Sequence, residues 1–300
     1  MDFRLTDDQR ALRAGVRHLL EGRFGRERLR AAVDKPGRGP DALDRALWKE
    51  LGDAGFFALR LPEEDGGVGL GLPEAVLAFE EAGRALLPGP LVATHLAAGT
   101  VPGAATGETV VTRVDGVLVE WLDAADHVLG NAAGAVPVRS VDPLTPLHRV
   151  PGELHGNAPG HVPGNVPEAA LLTAAEQLGS AARTTEAAVQ YAREREQFGR
   201  PIGAFQAVKQ LCAQMLVRAE VARGAVYGAA VTGDPVEIAG AKLLADEAAI
   251  RNARDCLQVY GGMGFTWEAD VHLHLKRAWV RAERWQTAGD AAETLAAALL

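Results

Sequence analysis

The sequence predicts a mainly α-helical protein in three parts: an N-terminal helical domain (residues 1–88), a shortened β-domain with a linker (89–165) and a C-terminal antiparallel four-helix bundle (166–300). Apolar residues recur at helical spacing at both ends of the chain, and short β-branched segments lie between them. The hydrophobic fraction is 48%, but the aromatic fraction is only 5%. Because alanine and leucine dominate the apolar residues, closely packed helices are favoured.

The N-terminal helices are predicted from caps and periodicity. Thr6 and Gln9 have the spacing of a capping box, in which each side chain satisfies a backbone group of the other residue. An amphipathic helix is expected from there to about Gly22. A second helix is expected to end near Gly55 and a third to begin at Pro73, because proline is favoured in the first helical turn.

The middle part of the chain carries strand signals. Residues 109–114, 117–121 and 135–141 are rich in β-branched side chains and are separated by glycine, proline and Asp-Gly. These features are typical of short strands joined by turns. Residues 157–167 are rich in glycine, proline, histidine and asparagine, and they predict a linker before the next helical block.

The C-terminal part shows the strongest helical periodicity. Apolar stripes over residues 171–189, 208–226 and 238–259 each keep to one helical face. Asp234, which is followed by proline, has the features of an N-cap and marks the start of the third of these helices. A further helix is expected over about 270–285, with a short alanine-rich helix after it. Long helices joined by short turns favour an antiparallel bundle.

Charge and cysteine content exclude several functional classes. The formal net charge is −8 and the basic residues are scattered, so no basic stripe is offered to nucleic acid. The first residues do not resemble a signal sequence, and no apolar run reaches the length of about 18 residues typical of a membrane helix. A soluble cytoplasmic protein is therefore predicted. Cys212 and Cys256 are expected in the core without a disulfide, and His148, His155 and His161 in a solvated loop rather than a metal site.

Two segments of the C-terminal part carry residues that suit a nucleotide ligand. In residues 191–206, arginine offers planar donors to a diphosphate and Phe198 can lie against a flat ring. A helix that begins near Phe205 presents free amides to an anion. In residues 258–268, glycines allow close backbone approach, and Gln258 can bind a sugar or a phosphate. Packing alone also explains each segment, as charge pairs with a hairpin turn and as a helix C-cap.

Together, and in this order, the two segments resemble the C-terminal signature of acyl-CoA dehydrogenases. Residues 3–9, 48–52, 61–69 and 80–84 are similar to the N-terminal helical domain of that family. The resemblance implies that FAD and an acyl-CoA lie between the β-domain and the bundle, and that some residues bind the FAD of an adjacent subunit. The residues so implied are Arg195, Gln197, Phe198, Phe205, Gln206, Gln258, Val259, Tyr260, Gly261 and Gly262. Phe198 could equally shape the turn.

The sequence departs from the family pattern at the catalytic base, a carboxylate that removes the α-proton while the flavin takes a hydride. Counted without a gap from Gly264, the family's glutamate on the last bundle helix falls at Trp285, and Glu283 lies on a different helical face. The family's alternative position on the first bundle helix falls at Ala169. Its neighbour Glu168 is the catalytic candidate, although a glutamate in a first turn also simply stabilises the helix dipole.

The middle part is also shorter than in the family. No counterpart of the flavin-ring loop or of the later tryptophan-bearing strand is recognisable, and Trp121 does not replace it. A chain of this kind resembles the short subunits of the heteromeric acyl-CoA dehydrogenases of bacterial steroid catabolism. The resemblance implies a full-length acyl-CoA dehydrogenase chain as the partner, or a second copy of this chain, with electron-transfer flavoprotein as a candidate electron acceptor.

Three functions follow as alternatives. The sequence favours a subunit of an FAD-dependent acyl-CoA dehydrogenase that forms a 2,3-enoyl-CoA from a bulky acyl-CoA, with the base supplied by a partner chain. The second alternative is a catalytically silent scaffold subunit. The third is a self-sufficient homomeric flavin oxidase or dehydrogenase that acts on a carrier-bound acyl group. Flavin content and assembly state distinguish the three.

Overall fold

The computed structural model of the protein describes residues 4–34, 42–152 and 166–299. Helices dominate these ranges, and a small sheet lies between the N-terminal helices and the C-terminal bundle in chain order. The predicted mainly α fold with a reduced middle sheet is confirmed. Most of the predicted linker, with His155 and His161, lies outside the described residues.

The described residues of the N-terminal part form five α-helices: α1 (Asp7–Arg23), α2 (Arg26–Asp34), α3 (Arg45–Asp53), α4 (Leu72–Ala85) and α5 (Leu91–Ala97). The predicted capping box starts α1, because Thr6 Oγ1 accepts from the Gln9 amide at 3.2 Å and Gln9 Oε1 accepts from the Thr6 amide at 3.0 Å. The periodicity of the sequence does not indicate α5. Six of its seven residues are buried, so the helix has no polar face to mark it.

Five strands form the middle sheet: β1 (Val111–Asp115), β2 (Leu118–Glu120), β3 (His127–Leu129), β4 (Val136–Val138) and β5 (Leu147–Arg149), in the spatial order β3-β1-β2-β5-β4. β1 and β3 pair in parallel, and the other neighbours are antiparallel. His148 was expected in a solvated loop, and that expectation is wrong. It lies buried in β5 with its Nε2 3.3 Å from Asp123 Oδ1, and a strand of three residues is too short to show alternation.

The C-terminal part contains α6 (Val166–Glu194), α7 (Gln206–Thr232), α8 (Pro235–Tyr260), α9 (Val271–Ala282) and α10 (Ala288–Leu299), with a hairpin of β6 (Glu196–Gln197) and β7 (Arg200–Pro201) after α6. Asp234 caps α8 as predicted, since its Oδ1 accepts from the amides of Val236 at 2.9 Å and Glu237 at 3.0 Å. The helix expected over 270–285 ends earlier, at Ala282. Trp285 has a φ of 64°, which an α-helix does not contain.

Two glycines let α4 pack closely on the first bundle helix. A Cβ atom at Gly83 of α4 would collide with the carbonyl of Glu176, and a Cβ atom at Gly179 of α6 would collide with the carbonyl of Glu80. Only glycine permits this approach of two backbones. The N-terminal helices are therefore held against the bundle along α4, and the position of α6 fixes the base of the hairpin that follows it.

Candidate functional site

The hairpin between α6 and α7 carries the first predicted segment. Residues Phe198 and Gly199 form its turn, and their φ angles are 54° and 76°. A left-handed φ is uncommon for a residue with a side chain, so Phe198 is held there by the surrounding hairpin. The amide of Ile202 donates to the Arg195 carbonyl at 2.8 Å and closes the base of the hairpin. The turn therefore projects the Phe198 ring outward.

The side chains of this hairpin are largely unused within the chain. Phe198 is 90% exposed and meets the edge of the Phe205 ring at 6.0 Å between centroids, while the guanidinium of Arg200 lies 4.4 Å from the Phe205 ring. Arg195 is exposed, and in the described ranges its side chain has no hydrogen bond or ion pair. Gln206 begins α7, whose N-cap makes no side-chain hydrogen bond, so the first amides of the helix remain free.

The second predicted segment ends α8. Gln258 is exposed, Val259 is buried, and the Tyr260 ring stacks on Tyr191 with 4.1 Å between centroids. Gly261 has a φ of 60°, and a Cβ atom added at Gly261 or its neighbour Gly262 would meet nothing within 4 Å. The side chains of Val259 and Tyr260 are therefore occupied by packing, whereas the glycines face open space.

The structure brings the two segments together. Tyr191 stacks on Tyr260, and its carbonyl accepts from the Arg195 amide at 2.8 Å, which joins the end of α8 to the base of the hairpin. We call the ten predicted cofactor residues of the two segments the half-site. It combines the exposed Arg195 guanidinium, the exposed amide side chains of Gln206 and Gln258, an exposed aromatic ring and free helix amides, which together suit a dinucleotide.

Glu168, the catalytic candidate, is held by an ion pair. Its carboxylate binds the guanidinium of Arg60, which follows α3 in the N-terminal part. Burial lowers the pKa of the His95 imidazole of α5 to about 4. The negative charge of Glu168 acts in the opposite direction, but its effect on this pKa is smaller. The Arg60 guanidinium therefore occupies the Glu168 carboxylate within the chain itself. This contact favours the structural interpretation of Glu168.

Trp285, at the family's glutamate position, is built into the protein. It is 8% exposed, and its amide donates to Asp115 Oδ2 of β1 at 2.5 Å. The guanidinium groups of Arg113 and Arg284 lie 5.9 and 5.7 Å from its ring centroid. Glu283 is exposed. The carboxylate nearest in sequence to the family position is therefore on the surface, and the position itself holds an indole.

Buried ion pairs fill the space between the middle sheet and the bundle. Arg281 of α9 binds Glu176 of α6 at 2.6 Å, Arg277 binds Asp142, and Arg284 lies 3.0 Å from Asp115. We call this network, completed by Glu120 at 3.6 Å from Arg284, the ionic seam. Burial raises the pKa of Glu176 and lowers the pKa of Arg281 to about 10.

The ionic seam leaves almost no space for a ligand. The remaining cavity measures about 20 Å³, which is room for one water molecule. One guanidinium nitrogen of Arg281 and two of Arg284 have no hydrogen-bond partner within the described chain, and a water molecule there would satisfy part of them. This network is not among the sequence predictions. Its local signal is the spacing of Arg277, Arg281 and Arg284, of which the first two lie one turn apart on α9 and the third follows the helix.

The described residues offer neither a metal site nor a membrane span. Among residues 4–34, 42–152 and 166–299, no three histidine, cysteine, aspartate or glutamate side chains are grouped as a metal site requires. Within the same ranges, no helix has both the length and the apolar character of a membrane span.

Two family models match this chain. The model described as "Acyl-CoA dehydrogenase, N-terminal domain" matches residues 6–109, and the model described as "Acyl-CoA dehydrogenase, C-terminal domain" matches residues 164–289. The second range contains the whole half-site. The middle sheet falls largely between the two matches.

Similar proteins agree with these matches. Acyl-CoA dehydrogenase IpdE2 of Mycobacterium tuberculosis is 37% identical over 294 residues, with 91% of each chain covered. The ChsE4–ChsE5 complex from Mycobacterium tuberculosis gives a TM-score of 0.84 at 23% identity, covering 100% of this chain and 99% of that chain. A variant of the Tcur3481–Tcur3483 steroid ACAD gives a TM-score of 0.83 at 24% identity, covering 98% of both chains. At these identities the two structures establish a shared fold.

Proposed function

We propose that this chain, which belongs to the acyl-CoA dehydrogenase family, is a subunit of an FAD-dependent enzyme that forms a 2,3-enoyl-CoA from a bulky acyl-CoA. In this proposal the half-site completes the FAD site of an adjacent chain. The observation that carries it is a contrast: the half-site is open and unpaired, whereas the space between the chain's own sheet and bundle is filled by the ionic seam.

The residues of the half-site fit the diphosphate and adenosine part of FAD. Arg195 is exposed and unpaired in the described chain, so its planar donors are free for a diphosphate. The free amides at the start of α7 add a positive helix end. Gln206 and Gln258 are exposed and offer amide groups to a sugar or a base. Gly261 and Gly262 leave the backbone accessible.

Bound FAD supplies the acceptor for a hydride from the β-carbon of the acyl-CoA, and the protein must supply a carboxylate for the α-proton. Within the described ranges this chain offers no suitable one. Trp285 occupies the family position, Glu283 is exposed, and Glu168 is bound to Arg60. We therefore propose that the base comes from the adjacent chain.

If this chain supplies the half-site and the adjacent chain supplies the base, the adjacent chain that fits best is a full-length acyl-CoA dehydrogenase. Two structural neighbours are described as a ChsE4–ChsE5 complex and a steroid ACAD, which supports pairing with a different chain and a bulky, steroid-like acyl group. We propose electron-transfer flavoprotein as the electron acceptor and the cytoplasm as the location. A second copy of this chain is the alternative partner.

Flavin content tests this proposal. The chain is co-expressed with a full-length acyl-CoA dehydrogenase chain from the same genome, and FAD per complex is measured from the absorbance spectrum. Arg195→Ala should deplete FAD, because the diphosphate loses a charged partner worth roughly tenfold or more in affinity. Arg193→Ala is the matched control, since Arg193 is an exposed arginine of the same helix end outside the half-site. It should leave FAD unchanged.

The rival functions give different results in the same assay. A scaffold subunit predicts equal FAD in the wild-type complex and the Arg195→Ala complex. A self-sufficient homomeric enzyme predicts that the chain alone is yellow and oxidises its substrate, which gel filtration with an absorbance spectrum and an acceptor-reduction assay would reveal. Either result would contradict the proposal.

A further inference from the structure

A second cleft, lined by none of the residues of the ionic seam, lies between the N-terminal helices and the bundle. Its volume is about 1000 Å³, and residues of α1, α2 and α4 line one side while residues of α6 and α9 line the other. We call it the N-terminal cleft. Tyr260 is the one half-site residue in its lining. The volume lies at the upper end of the range for small-molecule sites, so the cleft is large enough for an extended ligand.

Part of the cleft wall is apolar. Leu20 of α1, Leu86 at the end of α4 and Val271 of α9 are buried side chains that line it. Contact with hydrocarbon is favourable at such a wall, because both surfaces leave water. The cleft therefore suits a ligand with an apolar tail.

His274 of α9 supplies an unused acceptor in this lining. Its side chain is nine-tenths buried, and its Nδ1 lies 3.1 Å from Ser180 Oγ. Ser180 Oγ donates its hydrogen to the Gly83 carbonyl at 3.3 Å, so it accepts from Nδ1–H and the lone pair remains on Nε2. In the described chain Nε2 has no partner. Burial and the charge of Arg183 lower the pKa of His274 to about 3, so the ring is neutral at neutral pH.

Arg183 of α6 supplies an unused donor beside His274. The other arginines of the cleft are paired with carboxylates: these are Arg17, Arg26, Arg30 and Arg84, bound to Glu81, Asp270 and Glu186. Arg183 approaches Glu186 only at 3.9 Å, and the Glu186 carboxylate already accepts from Arg84 at 2.6 Å. The guanidinium of Arg183 is therefore the cation that remains available to an anionic ligand.

We propose that the N-terminal cleft binds a free hydroxy acid with an apolar tail. Its carboxylate pairs with Arg183, its hydroxyl donates to His274 Nε2, and its hydrocarbon lies against Leu20 and Leu86. A thioester of the same acid lacks the charge that Arg183 would pair with, so the free acid is preferred over the thioester.

Calorimetric titration of the full-length chain, in the assembly in which it purifies, tests this site with 3-hydroxydodecanoate and dodecanoate. We expect the hydroxylated acid to bind about fivefold more tightly, the worth of one neutral hydrogen bond. Arg183→Gln should weaken both acids by about tenfold, because a charged partner is lost. His274→Asn keeps a donor toward Ser180 but removes Nε2, so it should abolish the preference for the hydroxylated acid.

Arg254→Gln is the matched control, since Arg254 is an exposed arginine of α8 outside the cleft lining, and it should leave both affinities unchanged. Equal binding of 3-hydroxydodecanoate to the wild type and to Arg183→Gln would overturn the proposal, as would the absence of any binding heat. If His274→Asn fails to fold, the wild-type comparison decides the hydroxyl contact. Equal affinities for the two acids would then contradict it.

Discussion

The half-site and the ionic seam are two polar regions on the same bundle, and they differ in what satisfies their side chains. In the half-site, the Arg195 side chain has no partner among the described residues, and Phe198 is exposed. In the ionic seam, Arg277 and Arg281 are buried and each binds a carboxylate. Unpaired donors at a surface are available to another molecule, whereas paired donors inside the protein hold its own parts together.

In the proposed function, this difference lets the chain complete the flavin site of a neighbour while its own space between sheet and bundle is closed. Arg277 and Arg281 of α9, with Arg284 just after that helix, reach carboxylates of the middle sheet, its loops and α6, and they close the space between sheet and bundle. The strands of this sheet are only three to five residues long. Substitutions made in one region at a time test whether the half-site and the ionic seam are independent.

The largest expected effect on stability comes from breaking the ionic seam. Arg277→Met leaves Asp142 as a buried charge without its partner, so we expect a loss of about 3–5 kcal/mol in the free energy of unfolding, measured in urea. Arg251→Met removes an exposed ion pair with Glu247 and should cost at most about 1 kcal/mol. Equal losses of unfolding free energy in the two variants would mean that the ionic seam contributes no more than an exposed ion pair.

Lowering the pH should have the next largest effect on stability, because two buried histidines are neutral in the folded protein. The pKa values of His95 and His274 are about 4 and about 3 in the folded protein. Below the unfolded value of about 6.5, the unfolded chain binds protons that the folded chain does not, so stability falls as pH falls. Between about pH 6.5 and 5 we expect a loss of up to about 2 kcal/mol per histidine.

Urea unfolding at several pH values measures this loss, and His274→Asn should remove about half of the contribution of the two histidines. An unchanged slope in that variant would show that His274 is not buried and neutral. Guanidinium groups stay cationic throughout this pH range. FAD in the complex should therefore be retained until the protein itself unfolds.

The smallest expected effect on stability comes from a substitution in the half-site. Phe198→Ala removes a ring that is 90% exposed, so stability should change by less than about 0.5 kcal/mol. If the ring lies against FAD in the complex, its loss should weaken FAD binding by roughly threefold to tenfold, measured by flavin release on dilution. Phe265→Ala, which removes an exposed ring outside the half-site, is the control. A loss of stability without a change in flavin affinity would make Phe198 a structural residue.

Local features of this chain are the ones that the sequence predicts. The caps at Thr6 and Asp234 depend on residues two or three positions apart, and both are confirmed. Helix α5 is missed because burial on nearly every side removes its periodicity. The stop at Ala282 is missed because it depends on a backbone turn at Trp285 that binds Asp115 of the sheet.

The candidate functional site shows the same difference between local features, which the sequence predicts, and long-range contacts, which it does not. The hairpin and the end of α8 were identified from their local composition, and the structure brings them together through Tyr191 and Tyr260. The ionic seam joins residues more than a hundred positions apart, such as Arg277 and Asp142, so the spacing of the arginines alone does not reveal their partners. The cofactor roles of the half-site residues, the domain boundaries and the part played by Glu168 stay predictions.

A structure of the co-expressed complex with FAD tests the central claim most directly. The account predicts the FAD diphosphate within hydrogen-bonding distance of Arg195, at a boundary between two chains, with the ionic seam of this chain still closed. A flavin lodged between the sheet and α9 of this chain, or an Arg195 side chain in solvent away from every chain boundary, would contradict it.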